Sequence, residues 1–128
     1  MSKLVKLNLG CYNKKIHGFT NIDIRSEVEP DLIEDIFLLP SFKLRSVDLI
    51  YSSHVLEHAP RNEVLGILIK WFDILKPGGL LRLAVPNMKE CMKHYLYYED
   101  LDQLLTTLGG SQLHKYDFHL SHFDEKTL

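Results

Sequence analysis

Short apolar runs suited to β-strands recur along the first half of the chain. Lys3–Leu9 is a β-rich run that ends at Gly10, and Thr20–Ile24 is a second one. Leu32–Ile36 is a weaker third run, and Val47–Ser52 is almost continuously apolar, as expected of a strand buried on both faces. The pattern therefore predicts four strands in this part of the chain.

The connection between the first two predicted strands is short. Only the nine residues of Cys11–Phe19 separate Gly10 from Thr20, whereas a parallel crossover normally takes about a dozen or more residues and a helix. We therefore expect any helix in this connection to be reduced to a turn or so.

Helical spacing dominates the next part of the chain. Asn62–Leu75 repeats apolar residues at helical intervals and ends in Lys76–Gly79 (KPGG), a helix stop signal. Leu80–Val85 follows directly and predicts a fifth buried strand. Two further helices are predicted at Asn87–Tyr98 and Asp100–Leu108, with a break near Glu99 between them.

The alternation of strands and helices predicts the fold class. It favours an α/β domain with a doubly wound, mostly parallel sheet. The 128 residues suit a single domain over 1–128. The tail from Ser111 is polar and rich in histidine, and Phe123–Leu128 resembles the start of one more helix.

Composition indicates a soluble protein in a reducing compartment. The chain is 45% hydrophobic and 25% charged, with a formal net charge of −2 and interspersed charges, so nucleic acid and anionic membranes are not expected partners. It contains neither a signal-peptide pattern nor a membrane-spanning apolar stretch. Cys11 and Cys91 are too few for a disulfide framework. We expect a cytoplasmic protein.

Four segments, in this order, resemble class I S-adenosylmethionine (SAM)-dependent methyltransferases, and in particular the methyltransferase type 11 group. They are Leu7–Cys11 (LNLGC), Gly18–Asp23 (GFTNID), Ser53–His58 (SHVLEH) and Leu75–Gly79 (LKPGG). The last two, on either side of an amphipathic helix, form the most specific combination. The resemblance implies a Rossmann-like sheet, SAM as cofactor, and methyl transfer to a small-molecule or saccharide-linked acceptor.

The residue types explain how such a cofactor would be held. Gly10 lacks a Cβ and allows a ligand to approach the end of the first strand, and Asp23 can accept two hydrogen bonds from a ribose diol. The resemblance implies that Asp35 recognises adenine while Ile36 packs on the base, and that Ser53 and His54 face the methionine end. The expected cofactor-binding set is Leu9, Gly10, Cys11, Tyr12, Asp23, Ile24, Asp35, Ile36, Ser53 and His54.

The loop after the first strand argues against a dinucleotide. A dinucleotide site uses G-x-G-x-x-G before a helix, whereas Gly10 is the one glycine of this loop. SAM carries no phosphate and tolerates a shorter loop. The methyltransferase family usually has glycine where this chain has Tyr12, so Tyr12 either covers the methionine end of the cofactor or partly fills the pocket.

The histidines leave two interpretations open. His54–His58 (HVLEH) formally matches an inverted zinc-protease motif, which needs a helix, but here it follows a buried strand. Some O-methyltransferases carry E-x-x-E-H at this place and bind a divalent ion, so a metal stays possible, although we assign no metal ligand. The tail histidines form no recognised zinc signature and belong either to a polar segment or to a cover over the active site: His114, His119 and His122.

Catalysis would need a base only for acceptors that lose a proton. His58 and His54 are the best candidates because imidazole titrates near neutral pH, and Glu57 comes next. The resemblance implies a complete fold of seven strands, which would leave Leu80–Val85 as an open edge. Either the chain is a fragment, or a second copy covers this edge, or the tail folds back over it, and we expect an incomplete domain or a homodimer. The competing functions are a non-catalytic SAM-binding domain in an assembly and an unrelated nucleotide-binding α/β protein.

Overall fold

A single parallel sheet is the centre of the fold. The computed structural model describes residues 2–128, and its five strands pair in the order β3-β2-β1-β4-β5, with every pair parallel. The strands are β1 (Lys6–Leu9), β2 (Thr20–Asp23), β3 (Leu32–Ile33), β4 (Val47–Ser53) and β5 (Leu75–Ala84). This order, in which the chain reverses direction across the sheet at β1, confirms the predicted Rossmann-like α/β class.

Residues 2–128 also form three α-helices: α1 (Val64–Ile74), α2 (Met88–Tyr98) and α3 (Leu101–Gly109). The Asn87 side chain caps α2 by accepting from Glu90 N, and Asp100 caps α3 by accepting from Gln103 N. Glu99 between them takes a left-handed conformation with φ 54°, which ends α2. The predicted break near Glu99 is therefore confirmed. No helix among residues 2–128 is long and apolar enough to cross a membrane.

The chain divides into two compact units. The first contains the residues through Ser53 together with Leu65–Ala84, and thus the whole sheet and most of α1. The second contains His54–Val64 and Val85–Leu128, with α2 and α3.

The first unit is built around the sheet and one face of α1. Trp71 is fully buried, and its indole N–H donates to the Ile36 carbonyl oxygen over 2.9 Å, so the one polar atom of the ring is satisfied. Phe72, the next residue, is 74% exposed. The other fully buried apolar side chains of this core are Leu7, Leu9, Ile22, Leu39, Val47, Ile50 and Ile74.

The predicted start of the fifth strand was wrong. Leu75 already pairs with Val47, and Leu80 pairs with Leu49, so Lys76–Gly79 forms a bulge inside β5 instead of a connection before it. Gly78 takes a φ of 79°, a conformation that a glycine adopts without strain. Beyond β5, no strand formed by residues 2–128 continues the sheet, and the homodimer over this edge stays a prediction.

Three other local predictions also need correction. The first strand begins at Lys6, and the third ends at Ile33, because the chain turns from Asp35 onward. Phe123 does not start a helix. It forms a bridge with Asn87, and the residues after it close a single turn in which Leu128 N donates to Asp124 O.

A polar cluster fixes the entry to β2. Asn21 is buried, and both its backbone N–H and its side-chain amide donate to Asp31 Oδ2 over 2.7 Å. Its own Oδ1 accepts from Ile16 N and from Asn8 Nδ2. The hydrogen bonds from Asn21, that of the backbone first, hold the pKa of Asp31 below its ordinary value of 3.8.

The Asp31→Asn variant should lose part of the acid sensitivity of the wild-type protein. A carboxyl whose pKa is lower in the folded state stabilises above its unfolded pKa, and this contribution disappears as the pH falls through the lower folded pKa. In urea unfolding, the free energy of unfolding of the wild type should therefore decline more steeply than that of Asp31→Asn below about pH 4. Glu63→Gln, at an exposed position, should follow the wild type. Parallel curves for all three proteins would contradict this role of Asp31.

Candidate functional site

The carboxyl ends of β1 and β2 meet at one edge of the sheet. Leu9 pairs with Ile22 on one side and with Ser52 on the other. Gly10 follows with a φ of 62°, and Cys11 N donates to Ile22 O. The positive φ turns the chain from β1 toward β2, which is the reason why glycine suits this position. Open α/β sheets bind ligands at this edge, beside the strand where the order reverses.

Asp23 ends β2 and points toward the loop after β1. Its side chain is only 4% exposed. Oδ2 accepts from Tyr12 N over 2.9 Å, and Oδ1 accepts from Arg25 N over 3.0 Å and from Arg25 Nε over 3.3 Å. A carboxylate oxygen can accept two hydrogen bonds, so Oδ2 has one position left while Oδ1 is already filled.

Tyr12 and Arg25 both donate hydrogen bonds to this carboxylate and also contact each other. Tyr12 is half exposed, and the Arg25 guanidinium lies 4.7 Å from the centroid of its ring. Tyr12 has a φ of 43°, a conformation that costs a non-glycine residue about 1 kcal/mol and that glycine adopts freely. Arg25 was not among the residues predicted from the sequence. Its place two residues after Asp23 was the only available signal.

The other predicted cofactor residues differ in what they expose. Leu9 and Cys11 have buried side chains, so only their backbone groups are available to a ligand at this edge of the sheet. Burial, and next the charge of Asp23, raise the pKa of the Cys11 thiol, which keeps it in the unreactive protonated form. Ile24 is exposed, and Ser53 is partly exposed at the end of β4.

Asp35 and Ile36 lie in the turn after β3. Asp35 Oδ1 accepts from Phe37 N over 2.9 Å and thus caps its own turn. The Ile36 carbonyl is held by Trp71, and both side chains are partly exposed. The sequence had placed both residues at the end of a strand over Leu32–Ile36, whereas β3 ends at Ile33 and both lie in the turn that follows it.

The three predicted catalytic residues lie in the second unit. Leu56–His58 forms a single 3₁₀ turn, so the helix required by an inverted zinc-protease motif does not form. His54 is exposed and takes a φ of 56°, whereas Glu57 is only 1% exposed. Burial raises the pKa of Glu57, while its own backbone N–H and the nearby His119 act in the opposite direction.

His119 contacts His58, a pairing that was not predicted from the sequence. The two imidazole rings meet edge to face, with centroids 4.8 Å apart and an angle of 86° between their planes. The two residues are far apart in the chain. The sequence offered only the alternative that the tail histidines cover the active site, and it did not single out this pair.

Comparison with known proteins identifies the family of the chain. The family model of a methyltransferase domain, that of the type 11 group, matches residues 15–83, which is more than half of the chain. The chain belongs to this methyltransferase family. It is a class I methyltransferase domain, as the four segments had indicated. No curated protein matches the chain.

The family match covers part of the site. It includes Asp23, Asp35 and the Ser53–His58 segment, and it begins after Gly10 and Tyr12. The loop in which this methyltransferase departs from the usual family pattern thus lies outside the match. The roles predicted for individual residues are not tested by it.

The residues at the sheet edge fit the ribose of an adenosyl group. The left-handed Gly10, the inward-facing carboxylate of Asp23 and the free acceptor position on Oδ2 are what a ribose hydroxyl needs. The second hydroxyl would have to take the place of Arg25 Nε, whose 3.3 Å contact with Oδ1 is the longest of the three. The methyltransferase site thus fits the sugar once Arg25 moves aside.

Proposed function

We propose that this methyltransferase domain binds SAM and transfers its methyl group to a small-molecule or saccharide-linked acceptor. The single observation that carries the proposal is the buried carboxylate of Asp23 at the end of β2, turned toward Gly10 and Tyr12 at the end of β1. Bound SAM supplies an already activated sulfonium methyl group. The protein therefore contributes mainly by positioning the reactants.

The predicted cofactor-binding residues of the first unit each have a part in this proposal. Asp23 would accept the ribose hydroxyls, and Gly10 would let the cofactor approach the backbone. Ile24 and Ile36 offer apolar surface to the adenosine, and Asp35 an acceptor for the amino group of adenine. Leu9, Cys11 and Tyr12 would contribute backbone groups, and the side chain of Ser53 would meet the methionine end.

General base catalysis is a separate part of the proposal. His58, His54 and Glu57 are the candidate bases, and a base is needed only where the acceptor must lose a proton. His58 Nδ1 lies 3.0 Å from the Phe118 carbonyl oxygen. A carbonyl can only accept, so Nδ1 carries the hydrogen and a neutral His58 keeps Nε2 as its basic atom.

A second candidate function is a SAM-binding domain without catalysis. The hydrogen bonds from Tyr12 and Arg25 favour it, because the Asp23 carboxylate accepts them before any cofactor binds. Cofactor binding then competes with Arg25 and is weakened. Turnover of SAM with a panel of hydroxyl, amine and saccharide acceptors distinguishes the two functions.

Isothermal titration calorimetry tests cofactor binding directly. We expect SAM and its product S-adenosylhomocysteine to bind with one site per chain, because both carry the ribose that Asp23 recognises. The Arg25→Ala variant should bind both at least as tightly, since its carboxylate needs no exchange of partners. NAD serves as the control. It carries the same adenosine ribose but also a pyrophosphate, for which the loop after β1 lacks the G-x-G-x-x-G pattern, so it should give no binding heat. Binding of NAD without binding of SAM would overturn the proposal.

A further inference from the structure

Glu57 in the second unit has a buried carboxyl group. Neither carboxylate oxygen forms a hydrogen bond of good geometry with residues 2–128, and the side chain is 2% exposed. The His54 imidazole lies beside it, with Nδ1 3.4 Å from Oε1, on a side chain that is 66% exposed. A buried carboxylate in this state is costly unless a proton or a cation neutralises it.

Two imidazoles near Glu57 have their neutral tautomer set by backbone carbonyls. His58 Nδ1 lies 3.0 Å from Phe118 O, and His119 Nδ1 lies 2.7 Å from Thr107 O. Because the carbonyls can only accept, each Nδ1 carries a hydrogen and each neutral ring keeps its lone pair on Nε2. A carbonyl that fixes the tautomer and orientation of a histidine is the usual outer partner of a metal ligand.

The three side chains are close enough to share one ion. One ligand atom each from Glu57, His58 and His119 lie within 4.8 Å of one another. Ligand atoms on one ion, at bond lengths of about 2.0–2.2 Å, are about 3–4 Å apart. Side-chain movements of about 1 Å would therefore complete the coordination.

The backbone brings these ligands together without any ion. Leu120 N and Ser121 N both donate to Glu57 O, over 2.7 and 3.0 Å, and Ser121 Oγ donates to Ala59 O over 2.6 Å. These bonds tie the segment after His119 to the 3₁₀ turn that carries Glu57 and His58. These hydrogen bonds hold the three ligand residues near one another before any ion binds, which lowers the entropy lost on binding.

We propose that Glu57, His58 and His119 bind a divalent transition-metal ion of the Zn²⁺ type. Two imidazoles and one carboxylate suit Zn²⁺ and neighbouring first-row ions, whereas Mg²⁺ and Ca²⁺ prefer oxygen ligands. The ion neutralises Glu57 and connects the 3₁₀ turn to the segment around His119. When it is bound through Nε2, His58 cannot serve as a general base, so this inference competes with that role and does not depend on SAM binding.

Thermal unfolding of chelator-treated protein with added ZnCl₂ tests the site. The wild type should bind one Zn²⁺ per chain and unfold at a temperature higher by at least about 5 °C at saturating metal. When Co²⁺ replaces Zn²⁺, the protein should show the visible absorption bands of a Co²⁺ ion with a low coordination number. No acceptor or cofactor is needed, so failure here leaves the proposed methyl transfer untouched.

Matched variants separate this site from general metal binding by a histidine-rich tail. Glu57→Gln keeps every histidine and removes a buried charge, so it should fold well and yet lose the Zn²⁺ shift. His119→Ala should also lose it, whereas His122→Ala should keep it, because His122 is exposed and its Nε2 contacts Leu108 O. A wild type without the shift, or a Glu57→Gln variant that retains it, would overturn the proposal.

Discussion

Replacement of Trp71 by alanine is expected to lower the free energy of unfolding by about 3–5 kcal/mol. Trp71 is fully buried on the inner face of α1, and its removal leaves the largest cavity that a single substitution can make in this core. It also leaves the Ile36 carbonyl without its donor. Urea unfolding followed by far-UV circular dichroism measures the loss, since Trp71 is the only tryptophan and the variant has no indole fluorescence.

Two further variants show where this energy comes from. Phe72→Ala, one residue along the same helix, removes a side chain that is 74% exposed and should change stability by at most about 0.5 kcal/mol. Trp71→Phe retains most of the apolar volume but not the indole N–H, so it should fall between the two. Equal losses for Trp71→Ala and Phe72→Ala would contradict the packing described for α1.

The Asp23→Asn variant is expected to bind SAM about 10- to 100-fold more weakly than the wild type. Hydrogen bonds to a charged group contribute about 1.5–3 kcal/mol each, and the amide replaces one acceptor oxygen by a donor. That donor would face either Tyr12 N or the N–H groups of Arg25. Calorimetry with SAM and with S-adenosylhomocysteine should show the same loss, because the two ligands share the ribose.

Asp48→Asn is the matched control for this effect. Asp48 also accepts from a backbone N–H, that of Val5 over 2.8 Å, and pairs with Lys76 Nζ over 2.7 Å. It lies at the amino end of β4, where the family fold binds no ligand. Asp48→Asn should therefore leave SAM affinity unchanged. If Asp23→Asn bound SAM as tightly as the wild type, Asp23 would have only the structural role of holding Tyr12 and Arg25.

The elements of the fold were predictable because their signals are local. A near-continuous apolar run marks β4, and residues spaced by three or four positions mark α1. The stop at Glu99 was visible from the change of pattern around it. The edge formed by Gly10 and Asp23 was also predictable, since parallel strands present their carboxyl ends on the same side of a sheet.

The errors arose where pairing with a distant strand overrides a local signal. Lys76–Gly79 contains the residues of a helix stop, and α1 does end there. Yet Leu75 pairs with Val47, so the strand begins before the proline and glycines and accommodates them as a bulge. Turn residues indicate that the chain bends, but they do not tell which partner it meets.

By itself, the sequence determined the α/β class, the order of the elements, the methyltransferase family and the acid at the end of β2. Only the tertiary structure decided that Arg25 and Tyr12 close over Asp23, and that His119 joins Glu57 and His58. The physical reason is that periodicity and turn propensity act between residues near one another in the chain. Hydrogen bonds and ring contacts between distant segments depend on how the backbone brings those segments together.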